Sequence, residues 1–243
     1  MFRAALPEAG LLKESMNVVS SLITEGVFNL KKDGIELIAI DSANVAMVEF
    51  RLHQMAFEIY EIDKEASVGI NFDDLQTVMK RAKKTNRIEL EVDKQLKITI
   101  GGRRSFYLPL LDIKQNIPNI PKLEFLAKAE VRASFLLDSI ADAKQISDAA
   151  IFEANENEFK IKARGDNREV EAKLVRGDED LISLEVKNPA KSMFPIDYLE
   201  KMVKASKLVD TAVVKLGNDY PMRLEFSLVD RLDLSFILAP RIE

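Results

Sequence analysis

The residues able to make or break bonds are few. Asp41, Asp112 and the run Asp178-Glu179-Asp180 are the acidic candidates, and clustered carboxylates can hold a divalent cation or share general-acid and general-base work. That chemistry would make the chain a carboxylate- or metal-dependent hydrolase. Against it, Gly177-Asp178-Glu179-Asp180 has the composition of a solvated turn, and Asp41 is placed to fix the turn it sits in. No P-loop, glycine-rich dinucleotide fingerprint or nucleophile elbow occurs. The lack of cysteine removes disulfides, thiolate metal sites and cysteine nucleophiles together. One histidine, His53, closes the apolar run Val45 to Leu52 and reads as a strand-end side chain, leaving almost nothing for imidazole catalysis or zinc ligation. No cofactor, metal or small-molecule substrate is implied.

The second chemically capable set is cationic, and its spacing is helical. It comprises Lys13, then Lys80 and Arg81 with Lys83 and Lys84, then Lys144, then Lys201, Lys204 and Lys207. Such groups neutralise phosphates and give sequence-independent, salt-dependent attraction to nucleic acid. Two facts weigh on the other side: lysine-bearing helix faces are commonly just solvated, and the formal net charge is −5. Binding to a polyanion therefore requires the positive charge to be concentrated on one surface.

The elements that must carry these residues follow from periodicity. Leu12, Met16, Val19 and Ile23 form one apolar face of a helix over 10–23, and Leu75, Val78, Met79 and Ala82 form another, led in by Asp73-Asp74. Ser134 to Lys144 and Pro195 to Lys207 read as the third and fourth helices, with proline near the start of the last. Most other runs alternate with a period of two, among them Ile35-Leu37-Ala39, Phe57-Ile59, Ile88-Leu90-Val92, Phe159-Ile161-Ala163 and Leu232-Leu234-Phe236-Leu238. That alternation predicts antiparallel sheets with one buried and one polar face, hence an α+β class with helices on one side of extensive sheets.

The pattern occurs twice. Leu75, Val78, Met79 and Lys80 recur as Leu199, Met202, Val203 and Lys204, an offset of 124, and Val27-Phe28 recurs as Ile151-Phe152. A repeat this long is a domain rather than a solenoid unit. The predicted organisation is an N-terminal domain over 1–115, a connector over 116–124 containing Pro118 and Pro121, and a C-terminal domain over 125–243. Apolar residues at 47% and charged residues at 31% fit two domains that each bury a core. With no bilayer-length apolar run and no signal-peptide core at Met1 to Pro7, an intracellular location is expected. Two like domains make a quasi-symmetric object suited to assembling or encircling, which points away from an enzyme.

Several segments resemble one family. They are the tail Leu238-Ala239-Pro240-Arg241-Ile242-Glu243, the turn Ala39-Ile40-Asp41-Ser42-Ala43-Asn44-Val45, Leu110-Leu111-Asp112, Ser192 to Leu199, and Asn218-Asp219-Tyr220-Pro221-Met222. Together with the length and the duplication they are similar to the DNA sliding clamps of the proliferating cell nuclear antigen type, in archaeal-like form. The resemblance implies two clamp domains per chain in a closed trimeric ring, with sheets outside and helices lining a hole that encircles double-stranded DNA. The ring would tether DNA polymerase, nuclease and ligase clients and be opened by a clamp loader, without catalysis and without a membrane. Its place would be the cytoplasm, associated with the nucleoid, or the nucleus in a eukaryote.

Carried over position by position, the resemblance makes all nine cations above DNA-facing. The third helix contributes thinly to that lining, because it carries Asp138 and Asp142. The client-peptide pocket would comprise Ile40, Asp41, Asn44, Val45, Met47, Ile117, Ile120, Leu123, Pro221 and Ile237, with Ala239, Pro240, Arg241 and Ile242 meeting the start of the peptide. An apolar depression that takes aromatic anchors is what such a hot spot requires, although Ile40, Met47 and Ile237 could equally be core residues. Subunits would meet through edge strands, Arg104 to Leu111 with Phe106, Leu108 and Leu110 on one side, Arg168 to Val175 with Val170, Ala172 and Leu174 on the other. Arg103, Arg104 and Arg168 against Glu169 and Glu171 could add ion pairs. A subunit of a heterotrimeric or checkpoint-type clamp is the alternative within the family.

Overall fold

A computed structural model of the chain describes residues 1–113 and 122–242. The predicted connector residues 116–121 lie outside the described residues, as do Ile117 and Ile120. The chain divides into two compact units. The first combines Met1–Ser42, Val48–Pro118 and Leu228–Leu234, and the second combines Ala43–Met47, Asn119–Ser227 and Ser235–Glu243. Each unit thus takes a short piece from the sequence of the other, an exchange that a linear reading of the repeat does not anticipate.

In chain order the elements are β1 (Phe2–Leu6), α1 (Gly10–Leu22), β2 (Glu25–Lys31), β3 (Gly34–Ile40), β4 (Ala46–His53), β5 (Ile59–Ile62), β6 (Ala66–Asn71), α2 (Phe72–Lys80), β7 (Ile88–Val92), β8 (Gln95–Ile100) and β9 (Arg104–Pro109). The series then repeats with β10 (Ala127–Arg132), α3 (Ala133–Lys144), β11 (Ala149–Ala154), β12 (Glu158–Arg164), β13 (Glu169–Val175), β14 (Leu181–Val186), β15 (Ala190–Pro195), α4 (Ile196–Met202), β16 (Thr211–Leu216), β17 (Met222–Leu228) and β18 (Leu232–Leu238).

In the first unit an antiparallel sheet runs β5-β1-β7-β8-β9, with Leu90 opposite Ile98 and Ile98 opposite Phe106. Strand β2 pairs with β3 on one side and β6 on the other. In the second unit β13-β12-β11-β15 form one antiparallel sheet, while β14-β10-β16-β17 are hydrogen-bonded in that order. The repeat is visible in the packing. Phe28 meets Phe72 edge-on at 5.3 Å, and Phe152, 124 positions after Phe28, meets Phe194, 122 positions after Phe72, edge-on at 5.7 Å, geometry that adds to the burial of the rings.

The helices start and stop for local reasons. Asn71 caps α2, its Oδ1 accepting from the Asp74 N–H at 3.0 Å, while Asp73 and Asp74 in the first turn and Lys80 in the last suit the macrodipole. Helix α1 has no side-chain cap. Its free end is satisfied by α2's exit, where Ala9 N–H donates to Asn86 O at 2.6 Å and Gly10 N–H to Lys84 O at 2.9 Å. Helix α4 follows Pro195, whose missing N–H costs nothing at that position. Three expectations need correction. The fourth helix is α-helical only to Met202, and Val203–Lys207 tighten into a 3-10 turn. Phe57 lies outside β5, because Gln54–Ala56 form a 3-10 turn that ends with Phe57 N–H donating to Gln54 O. Strand β9 ends at Pro109, which supplies no N–H to continue a ladder, so Leu110 falls outside it.

Candidate DNA and partner interfaces

Packing divides the nine candidate DNA-facing cations into two groups. Lys13 is half-buried, and its Nζ donates to Ala82 O at 2.6 Å and to Lys80 O at 3.5 Å, tying α1 to the carbonyl end of α2. Lys84 pairs with Glu14 at 3.0 Å. Lys144 is paired with Glu200 of α4, which raises the lysine pKa through that hydrogen bond. These three have partners within the chain, a carbonyl for Lys13 and a carboxylate for each of the other two. Lys201 sits 5.4 Å over the Tyr198 ring. The side chains of Lys80, Arg81, Lys83, Lys204 and Lys207 have no hydrogen bond or ion pair to another described residue, and all are exposed except the half-buried Lys204. Lys80 closes α2, and its repeat partner Lys204 stands in the turn that continues α4.

The expected assembly edges are outermost strands. Among the described residues, β9 of the first unit pairs only with β8, and β13 of the second pairs only with β12. Their side chains alternate: Phe106, Leu108, Val170 and Ala172 are half-buried, whereas Arg104, Tyr107, Glu169, Glu171 and Lys173 are exposed. Leu174 is buried in its own unit. Arg168 precedes β13, and its carbonyl accepts from Gly165 N–H at 2.9 Å. Beyond Pro109 the chain leaves the edge, with Leu111 N–H donating to Gly69 O at 3.0 Å. Only glycine fits there, since a Cβ at position 69 would stand 2.2 Å from the Leu111 carbonyl oxygen. Glu169 already pairs with Arg164 at 3.1 Å, and Glu171 with Lys162 at 3.2 Å.

Of the pocket residues, Ile40 and Asp41 belong to the first unit, Ile40 exposed at 38% and Asp41 buried. Asn44 is exposed with a left-handed backbone, φ 57°. In the second unit Val45, Pro221, Ala239 and Pro240 are half-buried, while Met47 and Ile237 are each only 7% exposed and belong to its core. The tail is pinned by Ala239 N–H donating to Val45 O at 2.9 Å and by Arg241 N–H donating to Met193 O at 2.7 Å. The Arg241 guanidinium also pairs with Asp148 at 2.7 Å and lowers that carboxyl's pKa. Ile242 beyond it is exposed. Leu123 lines a depression with Phe125, Leu126, Lys128, Lys187 and Lys215.

Sequence reasoning gave no site role to Phe125, Ser192 or Tyr220, which pack or hydrogen-bond beside Pro221. Phe125 meets Tyr220 edge-on at 6.3 Å, just before Pro221. The turn leading to Tyr220 is fixed by buried Ser192, whose Oγ donates to Gly217 O at 2.9 Å and accepts from Tyr220 N–H at 3.0 Å. The aromatic pair was visible in the sequence as two rings beside the connector and Pro221, but nothing there said they meet.

The acidic candidates do not converge. Asp112 is exposed, and Asp178 Oδ2 accepts from Val175 N–H at 2.7 Å, as a turn residue does. Among the described residues no group of three His, Cys, Asp or Glu side chains could hold a metal ion. His53 ends β4 with Nε2 2.6 Å from Asp233 Oδ2.

Comparison with known proteins agrees with this arrangement along the whole chain. The family model for the proliferating cell nuclear antigen N-terminal domain matches residues 1–100, and that for its C-terminal domain matches residues 119–241. The DNA polymerase sliding clamp of Pyrococcus furiosus is 37% identical over 232 residues, covering 94% of this chain and 93% of that protein. That of Nanoarchaeum equitans is 36% identical over 247 residues, covering 98% and 99%. Among solved structures, the antigen from Thermococcus kodakaraensis superposes with a TM-score of 0.93 at 29% identity, covering 99% of this chain and 100% of that one. The A. fulgidus protein, solved with the C-terminal region of FEN-1 bound, gives 0.93 at 33% identity over 100% and 99%. The chain belongs to the proliferating cell nuclear antigen family of DNA polymerase sliding clamps.

Proposed function

We propose that this chain is one subunit of a closed trimeric ring that encircles duplex DNA and keeps DNA polymerase and other enzymes on the template. It acts as a processivity factor and not as an enzyme. The observation that carries the reading is the free cation at one repeated point of both units, Lys80 at the end of α2 and Lys204 after α4. Lysines left without internal partners at symmetry-related places suit a surface that meets a uniform polyanion without reading its sequence. A topological link needs little contact energy, and base readout would hinder sliding.

In this reading Arg81, Lys83, Lys201 and Lys207 share that surface, and β9 of one subunit pairs with β13 of the next, extending the sheet and covering both of those edges. The domains are 1–115 and 125–243 with a connector over 116–124. The A. fulgidus relative holds a FEN-1 tail. By analogy, client-peptide contacts are proposed at Ile40, Pro221 and the tail Ala239 to Ile242, and at Ile117, Ile120 and Leu123 of the connector. Nuclease and ligase clients share the site in turn, a clamp loader opens the ring, and the protein works in the cytoplasm on the nucleoid. The test is polymerase extension on a primed circular template. Lys80→Glu with Lys204→Glu should shorten products per binding event while the assembled mass stays that of the parent, and unchanged processivity would count against the reading.

A further inference from the structure

Strand β15 is the outermost strand of its sheet, yet Lys191, Ser192 and Met193 within it are each joined to chain from beyond that sheet. Lys191 N–H donates to Asn218 Oδ1 at 2.7 Å, and the Lys191 carbonyl accepts from Asp219 N–H at 3.1 Å. Two residues on, the Met193 carbonyl accepts from Arg241 N–H at 2.7 Å. The spacing of two follows from the ladder, since alternate residues of an antiparallel edge turn their backbone groups away from the paired strand. Ser192, opposite Phe152 of β11, uses its side chain instead: Oγ donates to Gly217 O at 2.9 Å and accepts from Tyr220 N–H at 3.0 Å. One short run of β15 thus mounts both the turn before Pro221 and the tail, the two second-unit segments assigned above to client-peptide contacts.

The turn needs holding. Asp219 has a left-handed backbone, φ 46°, and Tyr220 folds back so closely that a Cβ at position 217 would stand 2.8 Å from the Tyr220 Cβ. Backbone of that kind persists where its surroundings over-determine it. The Ser192 hydroxyl spans the turn from its first residue to its last, and at 1% exposure it is out of reach of a bound peptide. What it holds is exposed to consequence: Pro221 follows directly, and the Tyr220 ring meets Phe125 edge-on at 6.3 Å.

Resting on the client-peptide reading above, we infer that Ser192 is a positioning residue of the client pocket. From the buried side of β15 it keeps Tyr220 and Pro221 in the arrangement that receives the peptide's aromatic anchors. Without Oγ, the Gly217 carbonyl and the Tyr220 N–H lose that partner and the turn relaxes about Asp219, while β15 keeps its ladder to β11.

The test is calorimetric titration of the whole chain with a synthetic peptide of the FEN-1 C-terminal region, and with the same peptide carrying leucine for one aromatic anchor. Ser192→Ala should weaken the intact peptide about tenfold. If the parent loses about tenfold on the leucine exchange, that ratio should shrink to about twofold in Ser192→Ala, the mark of coupling between hydroxyl and anchor. Ile161→Val, a methylene lost from the buried face of β12 in the same unit, is the control for general destabilisation and should leave affinity and ratio at parent values. Ser192→Cys keeps the bulk and weakens both hydrogen bonds; it should fall between parent and alanine variant, and it carries the test if circular dichroism shows Ser192→Ala unfolded. Parent affinity and ratio in whichever serine variant folds, or an equal loss in Ile161→Val, would overturn the positioning role and leave the client pocket standing. A parent that does not bind the intact peptide would instead sink the client-pocket reading.

Discussion

Lys13 is the position where the structure most changes what a substitution should do. As a phosphate contact its loss would weaken DNA binding and leave folding alone. Its Nζ instead donates to Ala82 O at 2.6 Å, at the carbonyl end of α2, and Ala82 is 2% exposed. Lys13→Met keeps the length of the stem and deletes the donor. A hydrogen bond from a charged group contributes about 1.5–3 kcal/mol net when buried, and a cation at a helix C-terminus about 0.3–1 kcal/mol. These overlap, and Lys13 is only half-buried, so the expected loss is about 1–2 kcal/mol. The assay is urea unfolding at one fixed protomer concentration, because assembly would add to the apparent stability. The midpoint should fall with the slope unchanged. Lys80→Met is the control, within about 0.5 kcal/mol of the parent because its ammonium has no partner to lose. The salt dependence of DNA binding supplies the second readout, since each lost phosphate contact lowers the log–log slope by about 0.9. Lys13→Met should leave that slope alone. An unchanged urea midpoint with a slope lowered as much as by Lys80→Met would refute the reasoning.

Three further outcomes follow from burial and charge. Ile40→Ser, at an exposed position, should weaken a client peptide by calorimetry without a change in melting temperature, whereas Ile237→Ser should cost about 3 kcal/mol of stability; equal melting shifts would contradict that division. Ser15 is fully buried in α1 with its hydroxyl unsatisfied, so Ser15→Ala should stabilise by about 1 kcal/mol, and a loss would show that the hydroxyl has a partner. Glu89 has its pKa lowered by hydrogen bonds from Arg3 and Arg87, against the opposing effect of burial. A depressed carboxyl pKa contributes stability above its unfolded value and loses it as pH falls through the folded value. Glu89→Gln should therefore unfold more easily than the parent at pH 7, with the gap closing below about pH 4; a gap independent of pH would exclude this ion-pair network as its source.

Much of the architecture is legible because period and spacing are local properties. The helix faces of α1 and α2, the alternation in β7, β8 and β9, and the duplication of Phe28 as Phe152 follow from residues that meet their neighbours along the chain. Breakpoints were less legible. The 3-10 turn after Met202 and the exit at Pro109 depend on how few hydrogen bonds remain to continue an element. The sites were legible as residue types and not as assignments. Lys13 and Lys80 both read as helical lysines, yet one donates to the carbonyl end of a neighbouring helix and the other reaches solvent.

The sequence by itself determined the α+β class, the doubling and the set of cations from which any DNA surface must be drawn. Only the tertiary structure decided which cations and which strand edges have no partner among the described residues. The physical reason is range. Hydrophobic periodicity is set by neighbours within a turn or a pleat, while the partners of a long charged side chain come from segments far along the chain, as Lys13 and Ala82 do, 69 residues apart. Which charge is spent inside the protein and which is left for a partner is therefore fixed only once those segments meet.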